Sequence, residues 1–491
     1  MSTPAEHNFA GLLVGHLGET SRLVDAATGL ILAGSQVSRL IVGFAAGFLS
    51  AGLQPGDRLL VSCAQSPAST LAYLGAMYAG IVPVPVEERL LATSGNGLAA
   101  KTKARALWSA HGTDCVVGDA TEGANVLRIE GSFEPCSPAA LAPSRCAESD
   151  LAALMPTSGS MGRPQLVMVT HGNLLSNTEA IIRSQRLGCG ETALLVMPIS
   201  YCFGASVMHT HLYQGGSVVF DSRFMFADKV INAINAHDCS TFAGVPLVYH
   251  ALLRHSNLRS ISLPRLRRFL QAGGALNTEC IRELRRIVPN AEFFVMYGQT
   301  EATARISCLP PEFLNEKLGS AGVPLDNLEV RIGDENGQSV PLGLVGEIQV
   351  RGPSVCLGYF EDPESTARKY HGGWLKTGDL GSFDTEGYLW IHGRIDEFVK
   401  IRGRRVSFAE VESRIGAVSG VRECAAACVR HPEQGEGLAL FVVAKDREDS
   451  VKERIQYALP SHWAEAAVKF VEELPRTANG KIARWQLATS L

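Results

Sequence analysis

The twelve cysteines of this chain form no Cys-x-x-Cys pair. Cys424 and Cys428 stand four apart, with no second pair and no nearby histidine, so the pattern excludes a zinc site. Scattered, mostly buried free thiols of a reducing compartment are the expectation. His209 and His211 lie two residues apart in a helical stretch and point to different faces, so they do not chelate together. Excess basic charge is missing as well: the formal net charge is −4, which gives no electrostatic case for nucleic acid. No apolar run reaches the length that spans a bilayer. The opening MSTPAEHNFAG lacks the basic start and apolar stretch of a signal peptide, and a cytoplasmic location is expected. No Gly-x-Ser-x-Gly elbow and no Gly-Lys-Ser/Thr loop occurs, which counts against a hydrolase triad and an ordinary NTPase. Gly95-x-Gly97-x-x-Ala100 follows no clear strand and precedes no suitably spaced acid, so it is no dinucleotide fingerprint. Internal repeats and low-complexity tracts are also absent.

What is present suits a large folded protein. The chain has 491 residues, 46% hydrophobic and 19% charged, enough for more than one core. Short apolar runs alternate with helical stretches through the first two-thirds: LLVSC then SPASTLAYLGAMYAG then IVPVPV, and TALLVMPIS then ASVMHTHLYQGG then SVVF. The rhythm returns as LRRFLQAGG, TECIRELRRIV and EFFVMYG. This predicts an α/β fold with mainly parallel sheets flanked by helices. From about Gly319, runs broken by Gly and Pro (LEVRIG, GEIQVRG, GYLWIHGR) predict a small antiparallel β subdomain. The last hundred or so residues mix a helix (FAEVESRIGAV) with strands (GLALFVVAK) and have the size of a small α+β domain. The boundary falls at Ile395–Asp396, giving domains 1–395 and 396–491. Ala92 to Lys103, with its two glycines, reads as a surface connection.

One stretch poses a chemical question. In LMPTSGSMGRPQLVMVTHGNL, residues 154–174, two apolar runs are interrupted by Thr157, Ser158, Gly159, Ser160 and Gly162. This is either a plain hairpin turn or a loop whose N–H groups and hydroxyls cradle phosphate. Other polar clusters follow in order. MYGQTEA (296–302) ends an apparent strand with Gly298, Thr300 and Glu301, a carboxylate at an edge suited to hold Mg²⁺. WLKTGDL (374–380) puts Asp379 in a tight turn, where a carboxylate can accept from both hydroxyls of a ribose. HGRIDEFVKIRGRRV (392–406) is basic and broken by glycine. LPRTANGKIARWQL (474–487) presents Lys481 just after an Asn-Gly turn. Singly, each also reads as a surface pair, a turn cap, a solvated face or an exposed hairpin.

Together, with GEIQVRGPSVCLGYF, these segments make the chain resemble the adenylate-forming superfamily: acyl- and aryl-CoA synthetases, nonribosomal peptide synthetase adenylation domains and firefly luciferase. The resemblance runs from roughly Asp57 to the C-terminus. It implies a large adenylation domain followed by a small mobile domain, with ATP and Mg²⁺ as cofactors. Thr157, Ser158, Gly159, Ser160 and Gly162 would close on the β- and γ-phosphates. Gly273, Gly274 and Ala275 would line the adenine pocket, with Tyr297 stacking nearby and Gly298 beside it. Thr300 and Glu301 would hold phosphate and Mg²⁺, and Asp379 and Arg394 would bind the ribose. Asp396 would be the hinge, with Lys400 and Gly403 serving the thiol step, and Lys481 would be the catalytic lysine. The usual Pro-Lys-Gly of the first loop reads Pro164-Gln165-Leu166, which removes one lysine from the phosphates.

MPISYCFGASVM (197–208) corresponds to the substrate-pocket segment of that superfamily. Amino-acid-activating members carry an aspartate after the phenylalanine to pair with the ammonium, and Gly204 stands there. Tyr201 takes a position that is histidine in many acyl- and aryl-CoA ligases. By correspondence Ala205, Met208, Gln271 and Met296 also face the acyl group, in a mostly apolar pocket. The implied reaction is ATP-dependent activation of an acyl or aryl acid without an α-amino group, then transfer to a thiol of CoA or of a phosphopantetheinyl carrier protein. The alternatives are transfer to an amine, activation of an amino acid, or a silent nucleotide-binding homologue.

Overall fold

A computed structural model of the chain describes residues 7–111, 126–157, 165–401, 404–431, 435–445, 447–460, 463, 466–476, 482 and 484–489. Its centre is a nine-stranded sheet in the order Val323–Pro324, Ser307–Leu309, Glu292–Tyr297, Arg268–Gln271, Thr241–Gly244, Thr192–Leu195, Ser217–Phe220, Arg22–Asp25 and Ile31–Ala33. The six strands from Glu292–Tyr297 to Arg22–Asp25 run parallel, and only the edges are antiparallel. TALL, SVVF and TFAG are buried at every position, as strands covered by helices on both faces must be.

Chain order reverses around Thr192–Leu195: the next strand, Ser217–Phe220, lies on one side of it, and Thr241–Gly244 lies on the other. At such a reversal the loops beyond the carboxyl ends diverge and leave a crevice. Those loops are the ones that sequence singles out: 196–201, 272–277 and 298–304. A second, all-parallel sheet is formed by Val82–Glu87, Arg58–Cys63, Ala106–Ser109 and Leu127–Glu130. Leu151–Thr157 and Gln165–Thr170 pair antiparallel, with Thr157 opposite Gln165.

The β subdomain is antiparallel: Glu329–Gly333, Gly346–Arg351, Trp374–Phe383 and Leu389–Arg394, with Tyr370–His371 at the edge. Beyond it, Val421–His431 and Gly435–Ala444 form a long hairpin, joined in parallel by Ala467–Phe470. Val399, Val411, Ile415, Val442, Ile455 and Trp463 share a core there, separate from that of the large sheet. Among the described residues no helix is long and apolar enough to cross a membrane.

Two sequence expectations need correction. Residues 92–103 are no surface connection: Glu88–Thr102 is a helix, ended by Lys103 in the left-handed region. Each glycine costs a helix interior about 1 kcal/mol. Burial of Leu91, Leu98, Ala99 and Thr102 on one side offsets this, and Gly95 lies on that buried side. Asp379 does not occupy a tight turn: it lies inside the Trp374–Phe383 strand, opposite Arg394. Gly378, at φ +77°, supplies the kink that the Thr-Gly-Asp composition suggested.

Three histidines are buried neutral. His171 accepts from the Phe9 N–H at 3.1 Å, and His209 packs edge-on to Phe9 and against Tyr73. Burial pushes His171 and His211 down to about 4 and His209 to about 3, from an ordinary value near 6.5. Between those limits the unfolded chain binds protons that the native chain does not, so stability rises with pH there. The expected result is an unfolding free energy that is flat above about pH 7 and falls steadily from about pH 6.5 toward 4. Urea titrations across that range check this, and a profile flat down to pH 5 would refute it.

Candidate active site

The candidate site is built at the carboxyl ends of the parallel strands. Tyr297 closes its strand, and Gly298 follows where a Cβ would lie 1.7 Å from the Ala304 carbonyl oxygen, so only glycine fits. The chain then turns through the short 3-10 helix Thr300–Ala302 and doubles back through Thr303 and Ala304, at φ 56° and 98°. Two consecutive non-glycine residues in this region are strained, and such strain marks sites where geometry is imposed. The turn buries Glu301, whose Oε1 accepts from Tyr359 Oη at 2.6 Å. Burial and the Glu301 charge together push the Tyr359 phenol far up, so it stays a donor.

A second node faces the end of the same strand. Tyr297 Oη donates to Asp379 Oδ2 at 2.5 Å, and Arg394 Nη1 lies 3.4 Å from Asp379 Oδ1. The Thr377 hydroxyl accepts from the Asp379 N–H at 3.1 Å and donates to the Ile348 carbonyl at 2.7 Å, which pins the carboxylate to the sheet. Lys369, not expected from sequence, donates from Nζ to the Thr377 carbonyl at 2.8 Å. Burial pushes its ammonium down, Glu301, Asp379 and Glu347 push it up, and Arg394 pushes it down. The structure thus brings Tyr297, Glu301, Asp379, Arg394 and Lys369 into one charged cluster. Among the described residues no group of three or more His, Cys, Asp or Glu could hold a metal ion alone.

Gly273, at φ +82°, Gly274 and Ala275 form an exposed loop on the neighbouring strand, and Gln271 Nε2 donates to the Gly274 carbonyl at 2.6 Å. Thr157 ends its strand, while Ser158, Gly159, Ser160 and Gly162 lie outside the described residues. Gln165, in place of a lysine, turns its amide toward Asp362 Oδ2 at 3.5 Å.

The helix Cys202–Tyr213 forms another wall. Tyr201 caps its start, and its hydroxyl bonds to the Glu87 carboxylate at the end of Val82–Glu87. Burial raises both groups, and the bond to Tyr201 partly counters this for Glu87. Thr300 Oγ1 donates to Cys202 Sγ at 3.3 Å, so this helix touches the strained turn. Ala205 and Met208 are buried. Gln271 and Met296 are not brought to one face. Gln271 is in register with Val295, so Met296 points the other way, where its sulfur meets Gln185 Nε2 at 3.2 Å.

Gly204 has a structural reason of its own. A Cβ there would lie 2.3 Å from the Pro198 carbonyl oxygen and 2.9 Å from that of Met197. No aspartate can stand at this position without moving the helix. Gly204→Ala is expected to lower the unfolding free energy by about 2 kcal/mol, the range of an overpacked core site. Urea denaturation checks it, and a change under about 0.5 kcal/mol would show that the helix yields freely.

The residues expected at the hinge lie at the edge of what is described. Asp396 sits in the short turn Ile395–Glu397 and Lys400 in the strand Phe398–Ile401, with their side chains outside the described set. Gly403 and Lys481 are likewise outside it. Next to Lys481, Ile482 bridges Arg476, and Arg484 pairs with Glu412 at 2.6 Å and Glu397 at 3.5 Å.

Sequence reasoning missed Glu87, Tyr359 and Lys369. Tyr359 lies in a segment the motifs include, but Glu87 and Lys369 have no local pattern and are recognised only by what they touch.

Residues 24–360 match the model of the AMP-binding enzyme family, and residues 410–481 match that of the AMP-binding enzyme C-terminal domain. A feruloyl-CoA synthase from Amycolatopsis sp is 31% identical over 94% of each chain. A 2-succinylbenzoate–CoA ligase from Bacillus velezensis is 33% identical over 69% of this chain and 68% of its own. ATP-bound MatB from Rhodopseudomonas palustris superposes with a TM-score of 0.84 at 25% identity, covering 98% of both chains.

Proposed function

The chain belongs to the AMP-binding enzyme family, and on that premise we propose that it joins a carboxylic acid to a thiol through an acyl-adenylate. In the first half-reaction a carboxylate oxygen of the acid attacks the α-phosphorus of ATP. The bond from that phosphorus to the bridging oxygen breaks, and pyrophosphate leaves. In the second, a thiol attacks the acyl carbon and AMP leaves. CoA is the acceptor we assign, in keeping with the CoA-ligase relatives, and a phosphopantetheinyl carrier protein would present the same thiol.

The observation that carries this reading is the Tyr297–Asp379–Arg394 node beside Glu301 at the carboxyl edge of one strand. Asp379 would accept from the ribose hydroxyls, with Tyr297 and Arg394 fixing its orientation. Glu301 fits a role toward Mg²⁺. A single carboxylate beside a phosphate site suits an ion that takes one or two protein oxygens and shares the rest of its shell with substrate and water. That ion, when bound, offsets the negative charge of the phosphates. Lys369 and Arg394 supply fixed positive charge near the same edge, in a chain whose phosphate loop has Gln165 instead of lysine. The charge developing during attack falls to Lys481, as the superfamily resemblance implies. We assign an acyl or aryl acid without an α-amino group, because position 204 neither carries nor admits an aspartate.

Pyrophosphate exchange with a panel of acids tests the first half-reaction, and release of AMP on adding CoA, a carrier protein or an amine tests the second. Exchange with at least one acid, followed by thioester formation with CoA, is the expected result. Exchange only with α-amino acids, or turnover only with amines, would overturn the substrate or the acceptor respectively.

A further inference from the structure

Arg305 follows the strained Thr303–Ala304 turn and is only 2% exposed, among the largest fully buried side chains of the protein. Its backbone is clamped from both sides by Asn177, whose amide donates to the Arg305 carbonyl at 3.0 Å and accepts from its N–H at 3.3 Å. The guanidinium carbon lies 5.0 Å from the centre of the Phe203 ring. Among the described residues its Nε has no hydrogen-bond partner and no carboxylate pairs with it. Burial pushes the group down to about 10, opposed by the thiols of Cys308 and Cys202.

This is an expensive arrangement, since a buried charge without a counter-ion loses hydration and gains little in return. The fold shows how it treats a buried arginine otherwise. Arg268, at 8% exposed, pairs with Glu191 and donates to the carbonyls of Gln185 and Arg186. Arg305 has an aromatic face and two thiols instead. A face-on ring holds a cation but leaves the in-plane N–H groups free for a planar anion.

Its position says which anion. Phe203 and Cys202 form the first turn of the helix next to Tyr201, the segment that the resemblance assigns to the acyl group, and Cys202, a near neighbour of Arg305, accepts from the Thr300 hydroxyl. The reacting carboxylate is a poor partner: once it becomes the adenylate it is neutral at the acyl carbon, and Arg305 would be bare again. A second carboxylate on the acid keeps its charge through substrate, adenylate and thioester. Resting on the acid-activating reading above, we propose that Arg305 is the specificity residue of the acyl pocket, and that the substrate is a dicarboxylic acid whose non-reacting carboxylate pairs with its guanidinium.

The test compares matched acids differing only in that group: succinate against butyrate, adipate against hexanoate, and terephthalate against para-methylbenzoate. The native enzyme and the Arg305→Met and Arg305→Lys variants are each assayed by pyrophosphate exchange, and their binding is measured by calorimetry. With at least one pair, the native enzyme is expected to favour the diacid by about 100-fold in kcat/KM. Arg305→Met should reverse that preference through KM, and Arg305→Lys should restore part of it. Equal loss on both members of every pair, or native preference for the methyl-ended acid throughout, would overturn the proposal. If no acid is turned over but a diacid binds native protein and not Arg305→Met, the pocket assignment stands and the adenylation reading falls.

Discussion

Glu301→Gln should lower pyrophosphate exchange on the order of 100- to 1,000-fold and raise the Mg²⁺ concentration needed for half-maximal rate. The substitution is chosen to separate charge from architecture. Glu301 Oε1 accepts from Tyr359 Oη at 2.6 Å, and a glutamine carbonyl can accept the same bond, so the buried turn keeps its partner. What disappears is the negative charge. Tyr359→Phe makes the reverse change: the charge stays and one bond to it goes, which is worth about tenfold. If Glu301→Gln exchanges at near-native rate with an unshifted Mg²⁺ dependence, the carboxylate is merely the partner of Tyr359. Unfolding midpoints of both variants, measured alongside, show whether a loss of rate is a loss of fold.

The difference between what was legible in the sequence and what was not follows physical lines. Strand–helix alternation is written in the spacing of apolar residues, and the buried runs TALL and SVVF became strands of the central sheet. The helix Glu88–Thr102 was hidden because its glycines carry a strong local signal, while the burial that overrides them depends on distant strands. Asp379 was misplaced for a related reason. Thr-Gly-Asp composes a turn, and here the turn propensity is absorbed as a kink within a strand paired to Leu389–Arg394. Gly204 was read as a missing aspartate, but the close approach of the Pro198 carbonyl cannot be seen in one dimension. Arg305 shows the limit most plainly. An arginine five residues beyond Thr300 is unremarked in a sequence until its burial, and the lack of any carboxylate paired with it among the described residues, make it costly.

Lys481→Ala should cut acid-dependent pyrophosphate exchange by about 1,000-fold while leaving transfer from a supplied acyl-adenylate to CoA largely intact. The asymmetry follows from charge. In the first half-reaction an anionic acid meets the polyphosphate of ATP, and a lysine serving as proposed would offset negative charge that is greatest in the transition state. In the second, a thiol attacks a neutral acyl carbon and AMP is already a competent leaving group, so the lysine has little left to offset. The surroundings permit one group to serve one step. Arg484, three residues beyond Lys481, pairs with Glu397 of the turn that contains Asp396, so the lysine segment is tied to the turn proposed as the hinge. Rotation about that turn would carry Lys481 away once the adenylate has formed. The measurement is two separate assays on one variant: exchange with ATP and acid, and thioester formation from synthetic adenylate and CoA. Equal losses in both would place Lys481 in a structural role, and a variant that retains exchange would move the positive charge of the first step to Lys369 or Arg394.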